Sequence, residues 1–200
     1  MRHEDVRLPV EIPLFPLNTV LFPGGPLPLR IFETRYLEMV SDCLKHEQGF
    51  GVCLIEQGSE TGPAHTYTVG TLAHIRDWSN GPDGLLNILA LGSRRFRVTR
   101  VRTQHNGLNI AEVEWLPEEP AMPLPDTEKP LAELLQQILA QVQERYALIT
   151  PAYEDASWVG YRLAEILPLP IAQRQHLLEI SDARMRLDII GTLVSAQAAK

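Results

Sequence analysis

The sequence is poor in cysteine, and its two cysteines do not form a recognisable pair. Cys43 and Cys53 are the only cysteines in 200 residues, no C-x-x-C motif occurs, and no pair of histidines has metal-site spacing. A chain of 22.5 kDa can bury a sizeable core without disulfides or structural metals. We therefore expect two buried free thiols, a reducing compartment, and no metal or other cofactor.

The sequence also lacks a long apolar run and an excess of positive charge. No stretch of about 18 apolar residues is present to span a bilayer. Residues 1–5 carry charges of both signs, without the apolar stretch of a signal sequence. These absences predict a cytoplasmic protein that does not contact a membrane. A net charge of −7 and a pI near 5.4 disfavour the attraction to phosphates on which most nucleic-acid binding depends.

Motifs of the common catalytic sites are absent as well. Neither G-x-S-x-G, H-E-x-x-H nor G-x-G-x-x-G occurs, and the six histidines include no i, i+4 pair. We therefore expect a protein that is not an enzyme. A catalytic triad that is assembled only by the fold is compatible with this sequence, so an unrecognised hydrolase stays open as an alternative.

Proline is abundant, and its distribution divides the chain. Of 16 prolines, six lie between Pro9 and Pro28 and five between Pro117 and Pro130. Proline disrupts helix interiors and central strands, and the hydrophobic period differs on the two sides of the second cluster. We therefore predict a β-rich domain over residues 1–117, a proline-rich linker over residues 118–126, and a helical domain over residues 127–200.

The first half has mainly the period of two that is typical of strands. Strands are predicted at 50–56, 67–78, 85–91, 96–103 and 108–116. One helix between Glu33 and His46 interrupts them, because five apolar residues lie on one helical face: Tyr36, Met39, Val40, Cys43 and Leu44. Short strands joined by tight turns indicate an antiparallel barrel or sandwich.

After the second proline cluster the hydrophobic period becomes 3.6, which predicts helices. Asp126 is expected to cap the first helix and Asp155 the second. Pro170 begins a third helix, and Ser181 or Asp182 caps a fourth. Each apolar stripe is too short to form a stable helix alone in water, so the helices should pack as a bundle.

A long proline-rich segment near the N-terminus carries a family resemblance. Residues 12–36, IPLFPLNTVLFPGGPLPLRIFETRY, resemble the opening of the N-terminal domain family of Lon proteases, which begins with P-L-F-P-L, continues to V-L-F-P-G and reaches F-E-x-R-Y. Residues 69–75, 92–98 and 155–190 are similar to later segments of that family. The resemblance implies an α+β fold, with a PUA-like antiparallel β pseudobarrel that contains one helix, followed by a C-terminal helical bundle.

The resemblance also implies a function. In Lon proteases this region helps to recognise unfolded or tagged polypeptides, and in cereblon a similar domain docks the protein into a ubiquitin-ligase complex. This sequence has no G-x-x-x-x-G-K-[ST] ATPase loop, and none of its three lysines is well placed for a Ser-Lys peptidase. We therefore expect a free-standing, non-catalytic module of protein quality control that binds an unfolded or partner polypeptide. A protease or other complex acting in trans is a second candidate partner.

Five apolar residues of the resembling segment are the candidate polypeptide-binding residues: Phe15, Leu17, Phe22, Phe32 and Tyr36. In the functional interpretation, they offer apolar side chains to a bound chain on the β domain and at the cleft between the domains. In the structural interpretation they are core residues, because burial of a large apolar side chain stabilises a fold by about 1.5–3 kcal/mol. The sequence leaves both interpretations open.

The one basic cluster of the sequence supports an alternative function. Arg94, Arg95 and Arg97 could hold RNA phosphates on a PUA-like β surface. Alternation places Phe96 and Val98 on the buried face of the strand, and Arg95 and Arg97 in solvent. A solvated strand face explains the same pattern without a ligand, and the acidic net charge argues against RNA.

Overall fold

Residues 9–117 form seven strands and one helix. A computed structural model describes residues 9–198, with side-chain environments for residues 9–196. The elements in chain order are β1 (Glu11–Leu17), β2 (Pro26–Ile31), α1 (Thr34–His46), β3 (Phe50–Gly58), β4 (Ala64–Thr66), β5 (Val69–Asn80), β6 (Leu86–Thr103) and β7 (Asn109–Trp115). The segments 85–91 and 96–103, which the sequence predicts as two strands, belong to one strand of 18 residues, β6.

Strand β6 continues through Gly92 because the connection between β1 and β2 packs directly on it. The backbone of Gly92 exchanges two hydrogen bonds with Gly24 and Gly25, at 2.8 and 2.9 Å. A Cβ atom at Gly92 would lie 2.3 Å from the carbonyl oxygen of Phe22, so no larger residue fits there. The P-G-G sequence at 23–25 is therefore a structural contact with β6.

Five strands close into a barrel in the order β1-β7-β6-β5-β3, because β3 pairs back onto β1. The β1–β3 pair is parallel, and the other neighbouring pairs are antiparallel. β2 pairs with residues 86–91 of β6, and β4 pairs with β3. The predicted β-rich pseudobarrel is confirmed, with one parallel pair that local sequence patterns do not indicate.

Helix α1 packs its apolar stripe against the barrel. Four of the five predicted stripe residues are buried, and only Leu44, at the edge of the stripe, is partly exposed. The Tyr36 ring stacks on Phe15 of β1, with 3.9 Å between the ring centroids. After His46 the chain leaves the helix through Glu47, whose φ of 53° ends the helical conformation.

The second half is helical. It contains a 3₁₀ turn (Asp126–Glu128), α2 (Lys129–Gln141), a second 3₁₀ turn (Gln143–Tyr146), α3 (Ala156–Ile166), α4 (Ile171–Glu179) and α5 (Ala183–Ala198). Asp155 and Asp182 accept hydrogen bonds from the first-turn amides of α3 and α5, as predicted. The prediction for Asp126 is wrong, because this residue begins the 3₁₀ turn and pairs with Lys129 at 2.7 Å. Within residues 9–198, no helix is long and apolar enough to cross a membrane.

The two halves share one apolar core. Val20, Phe22, Leu54 and Val69 of the barrel half lie in the same buried cluster as the inward residues of α2 to α5. Of the predicted linker 118–126, residues 118–125 form no helix or strand, but they are bound to the helical half. Met122 N donates to Asp155 Oδ1, and Leu124 N donates to Glu154 O. The domain limits at 117 and 126 stay a prediction.

A buried cluster of charges lies where the two halves meet. Arg95 of β6 and Arg186 of α5 both pair with the carboxylate of Glu119, which lies in the segment that follows β7. The Arg95–Glu119 pair is 3.1 Å apart, and Tyr161 of α3 donates its hydroxyl to the same carboxylate. The two arginines also donate to backbone carbonyls at the α4–α5 connection. The prediction that Arg95 faces solvent is wrong, because the helical half covers that face of β6.

The surroundings of Glu119 lower the pKa of its carboxyl. Burial alone raises the pKa, because it disfavours the charged form. The hydrogen bonds from Arg186 and Tyr161 and the charges of both arginines outweigh that effect, so the pKa lies below its ordinary value. Glu119 is therefore an ionised carboxylate at neutral pH, and it neutralises part of the charge of two buried guanidinium groups.

Removal of the Glu119 charge is expected to destabilise the protein strongly. Glu119→Gln keeps the size of the side chain but leaves Arg95 and Arg186 buried without a counter-charge, so the free energy of unfolding should fall by about 3–5 kcal/mol. The matched control is Glu118→Gln, at an exposed carboxylate 3.6 Å from Arg94, which should cost less than about 1 kcal/mol. Urea unfolding at pH 7 measures both; equal midpoints for the two variants would refute the structural role of the cluster.

The same carboxylate should make stability depend on acidity. Its pKa is lower in the folded protein than in the unfolded chain, where the pKa of a glutamate is about 4.3. The contribution to stability is therefore complete above that pH and is lost as the pH falls through the folded pKa. Urea midpoints measured from pH 7 to pH 3 should fall more steeply for the wild type than for Glu119→Gln. Parallel pH profiles would contradict the assignment.

Candidate functional site

Four of the five predicted polypeptide-binding residues are core residues in the structure. Phe15, Leu17, Phe22 and Tyr36 are all buried. Phe15 and Tyr36 stack between β1 and α1, and Phe22 packs against Tyr161 at the junction of the halves. Phe32 alone is open to solvent, with 60% of its surface exposed. The structure therefore does not bring the five side chains together on one surface, and the four buried residues, but not Phe32, match the structural interpretation.

The three arginines of the alternative site are also separated. Arg95 belongs to the buried cluster with Glu119. Arg94 donates its Nε to the carbonyl of Leu116 at 3.1 Å and lies near Glu118. Arg97 is exposed on β6, in register with Glu114 of β7. A continuous cationic strand face is therefore not formed by these residues.

An apolar groove runs beside α2 in the helical half. It consists of two adjoining cavities of about 350 and 660 Å³ that share Gln136, Pro151 and Tyr153. We call it the α2 groove. Its walls come from α2, from the loop that precedes α3, and from the proline-rich segment after β7. The apolar lining residues include Leu139, Ile149, Trp158, Met122 and Pro123.

An aromatic pair forms one wall of the α2 groove. The rings of Tyr153 and Trp158 meet edge to face, with 5.2 Å between centroids and 85° between planes. Both side chains are half-buried, so each has apolar surface left for a ligand, while Leu139 and Tyr146 are buried beneath them. Neither residue was among the sequence-predicted site residues. The local signal was a tyrosine and a tryptophan close to Pro151, but the groove that they form with α2 depends on the tertiary fold.

A second, more polar groove of about 730 Å³ opens at one end of the barrel. We call it the barrel-mouth groove. One wall is the β3–β4 hairpin, and the other is the end of β6 with the turn into β7. Arg35 of α1 connects the walls, because its guanidinium donates to the carbonyls of Glu60 and Gly107 at 3.2 and 3.0 Å. Five threonines line the groove together with Arg35: Thr61, Thr66, Thr68, Thr99 and Thr103.

Neither cysteine is suited to nucleophilic chemistry. Cys43 and Cys53 are free and buried, as the sequence predicted. Burial raises the pKa of the Cys43 thiol to about 11 and that of the Cys53 thiol to about 12, so both are protonated at neutral pH. Within the described part of the chain, no three histidine, cysteine or acidic side chains are grouped to hold a metal ion.

Comparisons with known sequences identify Lon proteases that match nearly the whole chain and a cereblon that matches part of it. Lon protease of Anaeromyxobacter dehalogenans is 26% identical over 96% of this chain, and Lon protease of Escherichia coli K12 is 25% identical over 94%. Cereblon of Gallus gallus is 31% identical over 58% of this chain and 26% of its own length. The chain spans 24% and 25% of the two Lon proteases, about a quarter of their length.

Solved structures have the same fold. A Lon N-terminal domain protein from Xanthomonas campestris matches with a TM-score of 0.77 and 39% identity, over 91% of this chain and 97% of that one. The N-terminal domain of Mycobacterium avium complex Lon protease matches with a TM-score of 0.61 over 90% and 95% of the two chains, and its 19% identity shows the fold alone. The family model of the ATP-dependent protease La (LON) substrate-binding domain matches residues 11–196. The chain therefore belongs to the LON substrate-binding domain family.

Proposed function

We propose that this chain is a non-catalytic recognition module that binds apolar segments of unfolded or partner polypeptides in the α2 groove. The observation that carries the proposal is an open apolar groove in a domain whose family is named for substrate binding. In a folded protein such segments are buried, so a groove that accepts them selects unfolded chains. The resemblance to Lon proteases and cereblon supports a polypeptide as the ligand.

The composition of the α2 groove favours a polypeptide ligand. Tyr153 and Trp158 offer large, rigid surfaces, which supply contact area at a low cost in side-chain entropy. Each apolar side chain that a ligand buries there contributes about 1.5–3 kcal/mol before the cost of ordering the bound segment. Pro123 and Pro151 stiffen two of the walls, so the protein loses less conformational entropy on binding. Recognition in this groove depends on apolar contact and therefore tolerates many sequences.

The lining also favours binding without chemistry. Among the described residues that line the α2 groove there is no serine, threonine, cysteine, histidine or lysine. Asp155 is engaged as the cap of α3, and the Tyr146 hydroxyl donates to Glu165 at 3.0 Å. A nucleophile next to a general base, which a hydrolase needs, has no counterpart in this lining. We also propose that the protein acts in cytoplasmic protein quality control. A protease or other complex in trans then receives the bound chain.

Substitution of the groove tyrosine should weaken polypeptide binding. Tyr153→Ala removes half of the aromatic wall, and Kd for reduced, carboxymethylated α-lactalbumin should rise about tenfold, which corresponds to ~1.4 kcal/mol. Fluorescence anisotropy of the labelled polypeptide measures the change. The matched control is Ile171→Ala, at an exposed apolar residue of α4 outside the groove, which should leave Kd within about twofold.

Two results would contradict the proposal. One is an equal loss of affinity in both variants, which would place the binding surface outside the α2 groove. The other is tight binding of a structured RNA with a steep salt dependence that Arg97→Ala reduces, because that behaviour is the signature of phosphate recognition. Apolar binding should survive moderate salt.

A further inference from the structure

Strand β6 has a free edge at the barrel mouth. On one side it pairs with β5 from Leu86 to Arg97, and this ladder ends where Val98 N donates to Thr68 O at 2.8 Å. On its other side it continues with β7 as far as Thr103. Within residues 9–198, the segment 99–103 therefore has a strand partner on one edge only, and the barrel-mouth groove lies along the other edge.

The register identifies the backbone groups on that edge. Gln104 N donates to Leu108 O at 2.8 Å, so position 104 faces β7. In an antiparallel pair the residues that bond to a given neighbour alternate, so Arg102 also faces β7. Val101 and Thr103 consequently direct their N–H and C=O groups to the free edge. Side-chain contact between Thr103 and Asn109, at 2.8 Å, fits the closer spacing of a non-hydrogen-bonded pair.

One side chain on the inner face is left uncovered. Val101 lies opposite Ala111 of β7, which is fully buried in the barrel core, so Val101 is on the same inner face. Its exposed fraction is nevertheless 44%. A β-branched apolar residue on the inner face of a sheet is normally covered by the neighbouring strand. This exposure therefore has the same cause as the free edge, because no strand of residues 9–198 lies beside this edge of residues 99–103.

The groove walls are held in place by contacts within the protein. Arg35 connects the β3–β4 loop to the β6–β7 turn through Glu60 O and Gly107 O, and Glu33 pairs with its guanidinium at 2.9 Å. A space whose walls are fixed before binding loses less entropy when it is filled. Its unpaired strand edge presents the backbone groups with which one extended segment of polypeptide pairs.

We propose that the barrel-mouth groove binds an extended segment of the same polypeptide as an added β-strand. The added strand pairs with the backbone of Val101 and Thr103, and every second side chain points inward, where a β-branched or apolar residue covers Val101. Arg100 and Arg102 already pair with Glu112 and Glu11, so the contact relies on backbone hydrogen bonds and not on charge. This inference rests on the proposed polypeptide-binding function and gives that function a second contact, selective for extended conformation.

Amide hydrogen exchange tests the added strand directly. Exchange is followed by NMR on the ¹⁵N-labelled full chain, with and without saturating reduced, carboxymethylated α-lactalbumin. The Val101 and Thr103 amides should exchange at least about tenfold more slowly in the complex. The Arg102 amide is an internal control, because it faces β7 in both states and should change little.

The outcomes separate this inference from the function on which it rests. Binding with protection of Val101 and Thr103 supports the added strand. Binding without that protection overturns the added strand and leaves the polypeptide-binding function intact. Failure of the polypeptide to bind overturns both.

A pair of substitutions at one position gives a second test. Val101→Pro removes the free-edge N–H, which a proline at a sheet edge can do without breaking the ladder to β7. It should raise Kd for the same polypeptide about tenfold, whereas Val101→Thr keeps the N–H and should stay within about twofold. Equal affinities of the two variants overturn the proposal. Circular dichroism shows whether Val101→Pro is folded, and if it is not, the exchange result on the wild type decides.

Discussion

The contact of one buried carboxylate with two guanidinium groups determines how the parts of this molecule fit together. Glu119 comes from the segment between the halves, Arg95 from the barrel and Arg186 from the last helix. Desolvation offsets much of the attraction within a buried ion pair, so such a cluster adds little to stability compared with an apolar core. In this arrangement both guanidinium groups also donate to backbone carbonyls at the α4–α5 connection. We infer that it fixes the position of the helical half on the barrel, and with it the spacing of the two grooves.

The segment that identifies the family is mainly structural. Phe15, Phe22 and Tyr36 fill the core, and Gly25 packs against the Arg162–Glu165 ion pair, where a Cβ atom would be 2.7 Å from the carboxylate. A sequence motif made of such residues reports the fold, because each one is restricted by its neighbours. Residues that contact a polypeptide are restricted less, since a surface that accepts many sequences tolerates many side chains. The α2 groove, which we propose as a polypeptide-binding surface, lies outside the most recognisable part of the sequence.

Local sequence patterns predicted most of the secondary structure and two of the helix caps, because these depend on interactions between residues close together in the chain. Alternation and helical periodicity located most of the strands and all the helices, and the caps at Asp155 and Asp182 follow from short-range hydrogen bonding. The pattern around Arg95 shows which residues share a face of β6 but not that helices cover that face. Glu119 lies in a proline-rich segment whose composition is typical of a solvated linker. The α2 groove and the free edge of β6 are created by contacts between distant parts of the chain, so no local window of sequence contains them.

The free edge of β6 also has a mechanical consequence. Val101 lies six positions beyond Arg95 on the same strand, roughly 20 Å away, and this stretch of β6 is paired with β7. A chain paired along this edge resists a pull parallel to β6, because all its backbone hydrogen bonds are then loaded together. A pull across the strand loads them one at a time, and the chain peels away at low force. The direction from which a bound chain is pulled therefore sets whether this edge holds the chain or releases it.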